Sequence, residues 1–316
     1  MIAIGVDIGG TSIKGAFIND KGEILNRFSM KVEKEVSAED SVGKLCDIIA
    51  KAMDEGGYRG KVKGIGIGCP GILDIDNGII INSPNLPMWS KFPLKEFVEK
   101  RLGLEVVINN DANVAALGEA KFGSGSKYQN SIMITLGTGI GGGVIINGKL
   151  YDGYKHQGGE LGHMVIHVNG RACGCGRKGC FEAYASASAL IKDTRAMMKK
   201  HPESLLTQIE KELVGVDGRN AFLAAKRGDK YGMKLVNDYV MYLSEGLLNF
   251  CNIFRPEVII LSGGIANEKE YLIDKVADYL EKNHYGFIGS PKVEVVNGTL
   301  GYDSGKIGAA CLILFK

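Results

Sequence analysis

Three cysteines within eight residues carry the sharpest chemical signal in this 316-residue chain: Cys173, Cys175 and Cys180, in Arg171-Ala172-Cys173-Gly174-Cys175-Gly176-Arg177-Lys178-Gly179-Cys180. Thiolates so spaced suit tetrahedral Zn²⁺, and the glycines between them let a loop fold back on an ion. His163 is the natural fourth ligand, although the nine residues before Cys173 are not a generic finger spacing. A closed Cys₃His set leaves no open position, so the expected metal is structural. The competing reading is a surface loop of free thiols. The seven cysteines are odd in number and follow no export signal, which points to a reducing compartment and a cytoplasmic protein. Cys46, Cys69, Cys251 and Cys311 read as small buried hydrophobes.

Three glycine-rich turns follow apolar strands. Such turns let backbone N–H groups converge on an anion, with a Thr hydroxyl or a Lys added. The first, Asp7-Ile8-Gly9-Gly10-Thr11-Ser12-Ile13-Lys14, also brings an acid able to hold hydrated Mg²⁺. The second contains Gly137-Thr138-Gly139, and the third Gly263-Gly264. Together they predict a nucleotide. Neither a P-loop nor a helix-opening Gly-x-Gly-x-x-Gly occurs.

Asp111 lies where a strand ending at Asn109 meets a helix. It is either an N-cap or an acid facing a ligand crevice at a strand's carboxyl end. Phosphoryl transfer to a hydroxyl needs such a carboxylate as proton acceptor. Glu160 and Glu182 flank the cysteine cluster, and a metal there would draw them together. Side by side they could hold the hydroxyls of a polyol. Asp74-Ile75-Asp76-Asn77-Gly78 is a turn, because its Gly falls one position early for a calcium loop and Asn85 stands where the bidentate Glu belongs.

The elements that must position these groups alternate. Ile2–Val6, Ile13–Ile18 and a run over 23–29 read as a meander of strands, followed by a helix over 39–55. Strands at 64–68, 79–81 and 105–109 alternate with helices at 93–102 and 112–122. The pattern restarts with strands at 131–136, 142–146 and 164–168, then helices near 181–200 and 229–254. A strand at 258–261, a helix near 268–283, a strand at 292–296 and a helix from Gly305 follow. Two strand-rich openings, each followed by helix–strand alternation, predict an α/β protein of two similar halves around a cleft. The expected division is 1–118 plus 303–316 against 119–302. Lys plus Arg (38) nearly balance Asp plus Glu (36), which excludes a strong nucleic-acid or membrane-surface footprint. The Met1–Asp7 start reads as no secretory signal, and no apolar run reaches the ~18 residues of a membrane span.

These residues resemble those of sugar kinases of the ROK family (repressor, open reading frame, kinase), within the actin-like ATPase (ribonuclease H-like) fold, and most of all the bacterial ATP-dependent glucokinases. The match runs through Asp7–Lys14, Cys69-Pro70-Gly71, Ser83-Pro84-Asn85-Leu86, Asn110–Glu119, Leu136–Gly143, Gly159–His163, Cys173–Glu182 and Ser262–Ile265. The His-x9-Cys-x-Cys-x4-Cys spacing itself is characteristic of the family. The resemblance implies phosphorylation of a glucose 6-hydroxyl by ATP with Mg²⁺, with Asp111 as general base and Zn²⁺ held structurally by His163, Cys173, Cys175 and Cys180. It implies that Gly71, Asn85, Asn110, Glu160, His163 and Glu182 contact the sugar. Asp7, Gly9, Gly10, Thr11, Lys14, Thr138, Gly139, Gly263 and Gly264 would bind the cofactor, with Thr11, Lys14, Thr138 and Gly139 on the phosphates and the Gly263-Gly264 turn on the adenosine. Alternative substrates are N-acetylmannosamine, N-acetylglucosamine, fructose, allose or a β-glucoside. A sugar-responsive repressor is a further reading, disfavoured by a nucleotide strand that begins at Ile2 and by near-neutral charge. The expected assembly is a homodimer or homotetramer.

Overall fold

The computed structural model describes residues 1–316 apart from Lys34, 286–288, Ser290 and the side chain of Glu270. Five strands form the first sheet: β1 (Ile2–Ile8), β2 (Ser12–Asn19), β3 (Ile24–Lys31), β4 (Val62–Cys69) and, after a small hairpin of β5 (Ile72–Asp74) and β6 (Ile79–Asn82), β7 (Glu105–Asn110). Their order is β3-β2-β1-β4-β7. The β1–β2 and β2–β3 pairs are antiparallel, whereas β4 and β7 run parallel to β1. The second sheet contains β8 (Ser131–Leu136), β9 (Ile140–Ile146), β10 (Lys149–Tyr151), β11 (Val258–Ser262) and β12 (Glu294–Asn297), in the order β10-β9-β8-β11-β12. Numbered within each sheet, both orders read 3-2-1-4-5. The repeat legible in the glycine turns is therefore a repeat of topology.

Helices α1 (Ala38–Glu55), α2 (Leu94–Leu102) and α3 (Asp111–Phe122) follow β3, β6 and β7. The short α4 (Glu182–Ala185) leads into α5 (Ala187–Lys200), then α6 (Leu205–Leu213), α7 (Arg219–Lys226) and the 25-residue α8 (Lys230–Phe254). The chain closes with α9 (Glu270–Asn283) and α10 (Ser304–Leu314). Caps set several starts: Ser37 Oγ accepts from Asp40 N–H, and Asp229 from Tyr231 and Gly232 N–H. The strand expected over 164–168 does not form. Its backbone instead bonds across to the cysteine loop, with Phe181 N–H on Met164 O (2.8 Å) and Ile166 N–H on Gly179 O (2.9 Å).

Two compact units result. One comprises Met1–Gln129, Gly143–Gly159 and Thr299–Lys316, and the other Asn130–Gly142 and Glu160–Gly298. In the first unit α10 lies directly on the sheet and on α3. A Cβ on Gly5 would stand 1.8 Å from Lys306 O, and one on Gly308 1.6 Å from Val114 O, so only hydrogen fits at either contact. Glu119, fully buried on α3, keeps residues 119–129 and 299–302 with this unit. Its carboxylate accepts from the N–H groups of Ser124 (3.0 Å), Thr299 (3.2 Å) and Leu300 (2.8 Å). Each buried donor left without a partner costs about 1–3 kcal/mol. Glu119→Ala is accordingly expected to lower the unfolding free energy by about 3 kcal/mol or more. Urea unfolding checks this, and a loss below ~1 kcal/mol would show that water replaces the carboxylate.

Candidate functional site

The first unit gathers acids at the carboxyl ends of three parallel strands. In register, Asp7 on β1 pairs with Gly68 on β4, and Gly68 with Asn109 on β7. Asp111 opens α3 immediately beyond. Ligands bind at such strand ends in open α/β sheets. Burial is the main cause that raises the carboxyl pKa of both Asp7 and Asp111 above the usual carboxylate range. At Asp7 the Asp111 charge adds to the rise, and Lys306 and Lys14 oppose it. A buried thiol, Cys69, lies within the field of both acids and is itself pushed up, chiefly by burial.

The helix-cap question at Asp111 is answered by its neighbour. Asn110 is the N-cap, with Oδ1 accepting from Ala112 N–H (2.9 Å) and Asn113 N–H (3.3 Å). Asp111 Oδ1 takes the adjacent Ala112 N–H, and the Asn110 side chain also bonds to the carboxylate, so capping of the helix does not account for Asp111. The other first-unit candidates cluster nearby in the chain fold. The first glycine turn closes through Gly9 N–H on Ser12 O at 2.9 Å, with Thr11 and Lys14 exposed. A Cβ on Gly10 would lie 3.3 Å from the Asn85 Cβ, which places Asn85 beside that turn. Gly71 has φ +105°, and a side chain there would strike Asn82 O at 2.3 Å.

Two residues not expected at the site from the sequence, Lys306 and Gly305, join this group. Lys306 is 4 % exposed, and its Nζ lies 2.8 Å from Asp303 Oδ1 while its charge bears on Asp7. A Cβ on Gly305 would stand 2.9 Å from Asp7 Oδ2, so α10 meets the acid with bare backbone. A lysine within the apolar run Ser304–Leu314 was the available signal.

The second unit places the two other glycine turns side by side. Ser262 on β11 pairs with Thr135 on β8, and a Cβ on Gly263 (φ +92°) would meet Leu136 O at 2.7 Å. Gly141 N–H is tied to Thr135 Oγ1 (3.1 Å) and Ile140 N–H to Glu182 Oε2 (2.9 Å). Gly139 also touches Glu182, since a Cβ there would fall 2.2 Å from the same oxygen. One oxygen of Glu182 thus braces the second turn, a contact that spacing alone does not reveal. Thr138 and Gly264 lie within these turns. Glu160 is exposed, and its carbonyl accepts from His163 N–H (3.1 Å).

The cysteine loop converges with His163. The ligand atoms of His163, Cys173, Cys175 and Cys180 all lie within 4.8 Å of one another. Cys175 Sγ and Cys180 Sγ are 3.7 Å apart, as are Cys173 Sγ and His163 Nδ1. A tetrahedron with Zn–S of ~2.3 Å and Zn–N of ~2.0–2.1 Å has edges of roughly 3.5–3.8 Å, which these two pairs match, and the donor set suits Zn²⁺ in its chemistry. The Nδ1 atom faces the sulfurs, which leaves Nε2 to point elsewhere.

Each sheet therefore repeats a hairpin-plus-parallel-strand order with a glycine turn at its strand ends, which is the design of the actin-like ATPases. The chain belongs to the ROK family, whose sequence pattern matches residues 3–316. It is 37% identical over 316 residues to the glucokinase of Thermotoga maritima, covering 98% of this chain and 96% of that one. A ROK glucokinase from Streptomyces griseus, solved with glucose and AMPPNP, superposes with a TM-score of 0.81 at 34% identity and full coverage of both chains. The ROK hexokinase of Thermus thermophilus gives a TM-score of 0.84 at 32% identity, covering 100% of this chain and 98% of that one.

Proposed function

We propose that this protein is an ATP-dependent glucokinase that phosphorylates the 6-hydroxyl of glucose. The observation that carries the reading is Asp111, a partly buried carboxylate not consumed by capping, at the strand ends of a kinase fold whose relatives include glucokinases. Asp111 accepts the proton of the 6-hydroxyl as that oxygen bonds to the γ-phosphorus. The bond from the γ-phosphorus to the β,γ-bridging oxygen breaks, and ADP leaves. A raised pKa suits the task, because a stronger base takes the proton more readily.

The sugar contacts are Gly71, Asn85, Asn110, Glu160, His163 and Glu182. Asn110 offers its amide N–H, since its oxygen caps α3. Glu182 has one oxygen committed to Ile140 and the other 3.6 Å from Cys173 Sγ, so it orders the turn as well as meeting sugar. The phosphates fall to Gly9, Gly10, Thr11, Lys14, Thr138 and Gly139, and the adenosine to Gly263-Gly264. Asp7, half-buried and within the field of Lys306 and Lys14, suits a hydrated Mg²⁺, which when bound neutralises charge on the phosphates. His163 and the three cysteines hold Zn²⁺ as a structural clamp. Among the described residues no helix is long and apolar enough to cross a membrane.

An ADP-release assay across hexoses and N-acetylhexosamines tests the substrate. A pocket shaped for a 2-hydroxyl rejects an acetamido group by its bulk and by hydrogen bonds left unmade. Glucose is expected to exceed N-acetylglucosamine and N-acetylmannosamine by at least ~10-fold in kcat/KM, a difference of ~1.4 kcal/mol. A higher value for either N-acetyl sugar would reassign the substrate and leave the kinase chemistry in place.

A further inference from the structure

His156 stands between two carboxylates that the sequence places far apart. Its Nδ1 lies 2.7 Å from Asp152 Oδ2, and its Nε2 lies 3.3 Å from Asp76 Oδ1 in the β5–β6 turn. Two ring nitrogens that both face carboxylates call for two N–H donors, and therefore for imidazolium. The backbone gives the same indication. Lys155 (φ 55°) and His156 (φ 58°) are consecutive left-handed non-glycine residues, a costly arrangement that persists only where surrounding contacts enforce it. Lys155 Nζ completes the anchor on Asp76 Oδ2 at 3.0 Å, and Gly158 N–H closes the loop on Asp152 O at 2.7 Å.

The clasp leads to the candidate site. Asp152 Oδ2 also receives Asn109 Nδ2–H at 3.4 Å. Asn109 Oδ1 in turn accepts from Asn110 N–H (2.7 Å) and from Asn113 Nδ2–H (3.1 Å). His156, Asp152 and Asn109 thus form one hydrogen-bonded line to the residue that caps α3 and precedes Asp111. Four residues after His156 comes Glu160.

We propose that protonated His156 is a positioning residue for sugar binding, clasping the loop 152–159 to the turn 74–78 and, through Asp152 and Asn109, holding the Asn110 end of β7. This rests on the reading that Asn110 and Asp111 receive the sugar. The ionisable groups facing the ring are Asp152 on its own loop and Asp76 on the hairpin, with Lys155 acting on Asp76 and Asp74 on Lys155. The hydrogen bond to Asp152 is the main cause that raises the imidazole pKa, with Asp76 adding to it and partial burial opposing. With the folded value above the ordinary one, the clasp is fully formed below the ordinary imidazole value of about 6.5 and is lost as pH rises through the raised one.

Two measurements on the full-length protein test this. Ring NMR, practicable with five histidines in the chain, is expected to show His156 titrating above the ordinary value and moving down in Asp76→Asn. The glucose KM is expected to rise about 5-fold as His156 deprotonates, with kcat changed less than about 2-fold. His156→Gln should carry that higher KM at all pH values. His156→Arg, permanently charged, should restore the low KM and remove its alkaline rise. A normal His156 titration, or a wild-type KM flat across the titration, overturns the proposal. Asp111→Asn retaining full turnover would instead overturn the base assignment and leave the His156 titration untouched.

Discussion

Asp111→Asn is expected to lower kcat at least ~100-fold, since general-base catalysis is worth on the order of 10²–10⁴ in rate. The substitution keeps the shape and the Oδ1 that accepts from Ala112 N–H, and removes the proton acceptor. Glucose affinity should stay near that of the parent, which separates loss of chemistry from loss of binding. Stability supplies a second readout. Burial raises the Asp111 pKa, so the folded state disfavours its charge, and that penalty is absent only below the ordinary carboxylate value, growing until pH passes the raised one. A neutral amide escapes it, so the variant is expected to melt no lower than the parent. The pH dependence follows with the same sign. The base works only when ionised, so kcat should fall with acidification at a pH above the usual carboxylate range. A variant that retains most of its turnover would reduce Asp111 to a structural acid.

Loss of the metal is the second large effect expected. Protein purified without chelator should carry one zinc per chain, and Cys175→Ser should lose zinc, stability and sugar affinity together. The reason is mechanical. Cys180 precedes Glu182 by two residues and His163 follows Glu160 by three, so a closed Cys₃His site fixes both glutamates through the ion. Without it, converging thiols hold the loop only weakly, and Glu182 loses a constraint on the contact that braces Ile140. Structural zinc contributes directly to folding free energy. A loss of even ~2 kcal/mol would lower Tm by roughly 4–8 °C at ~2–4 °C per kcal/mol. The glucose KM should rise at least ~10-fold. Metal analysis showing no zinc in such a preparation would refute the assignment.

The chemistry of donors was legible in the chain because it is local. Cys173, Cys175 and Cys180 with interposed glycines can meet one ion whatever surrounds them, and the structure brings His163 to the same point. The glycine turns announced themselves likewise, because a strand that must reverse closely needs residues without side chains. Their recurrence led to the doubled α/β plan, which the matching strand orders display.

Partners chosen across long sequence separations were not legible. Apolar spacing at 164–168 suits a strand, yet its backbone bonds to the cysteine loop, and hydrophobicity does not specify which groups pair. Asn110 and Asp111 are both good caps, and only the geometry at the β7–α3 junction decides that Asn110 takes the role and Asp111 is left over. Lys306 became part of the acid cluster because α10 crosses bare glycine backbone on β1. His156 gained its two carboxylates when a loop and a distant hairpin turn folded together. Sequence determined which functional groups were available and which turns could present them. The tertiary structure decided which acids were desolvated and which were already bonded, because burial and pairing depend on neighbours that only the folded chain supplies.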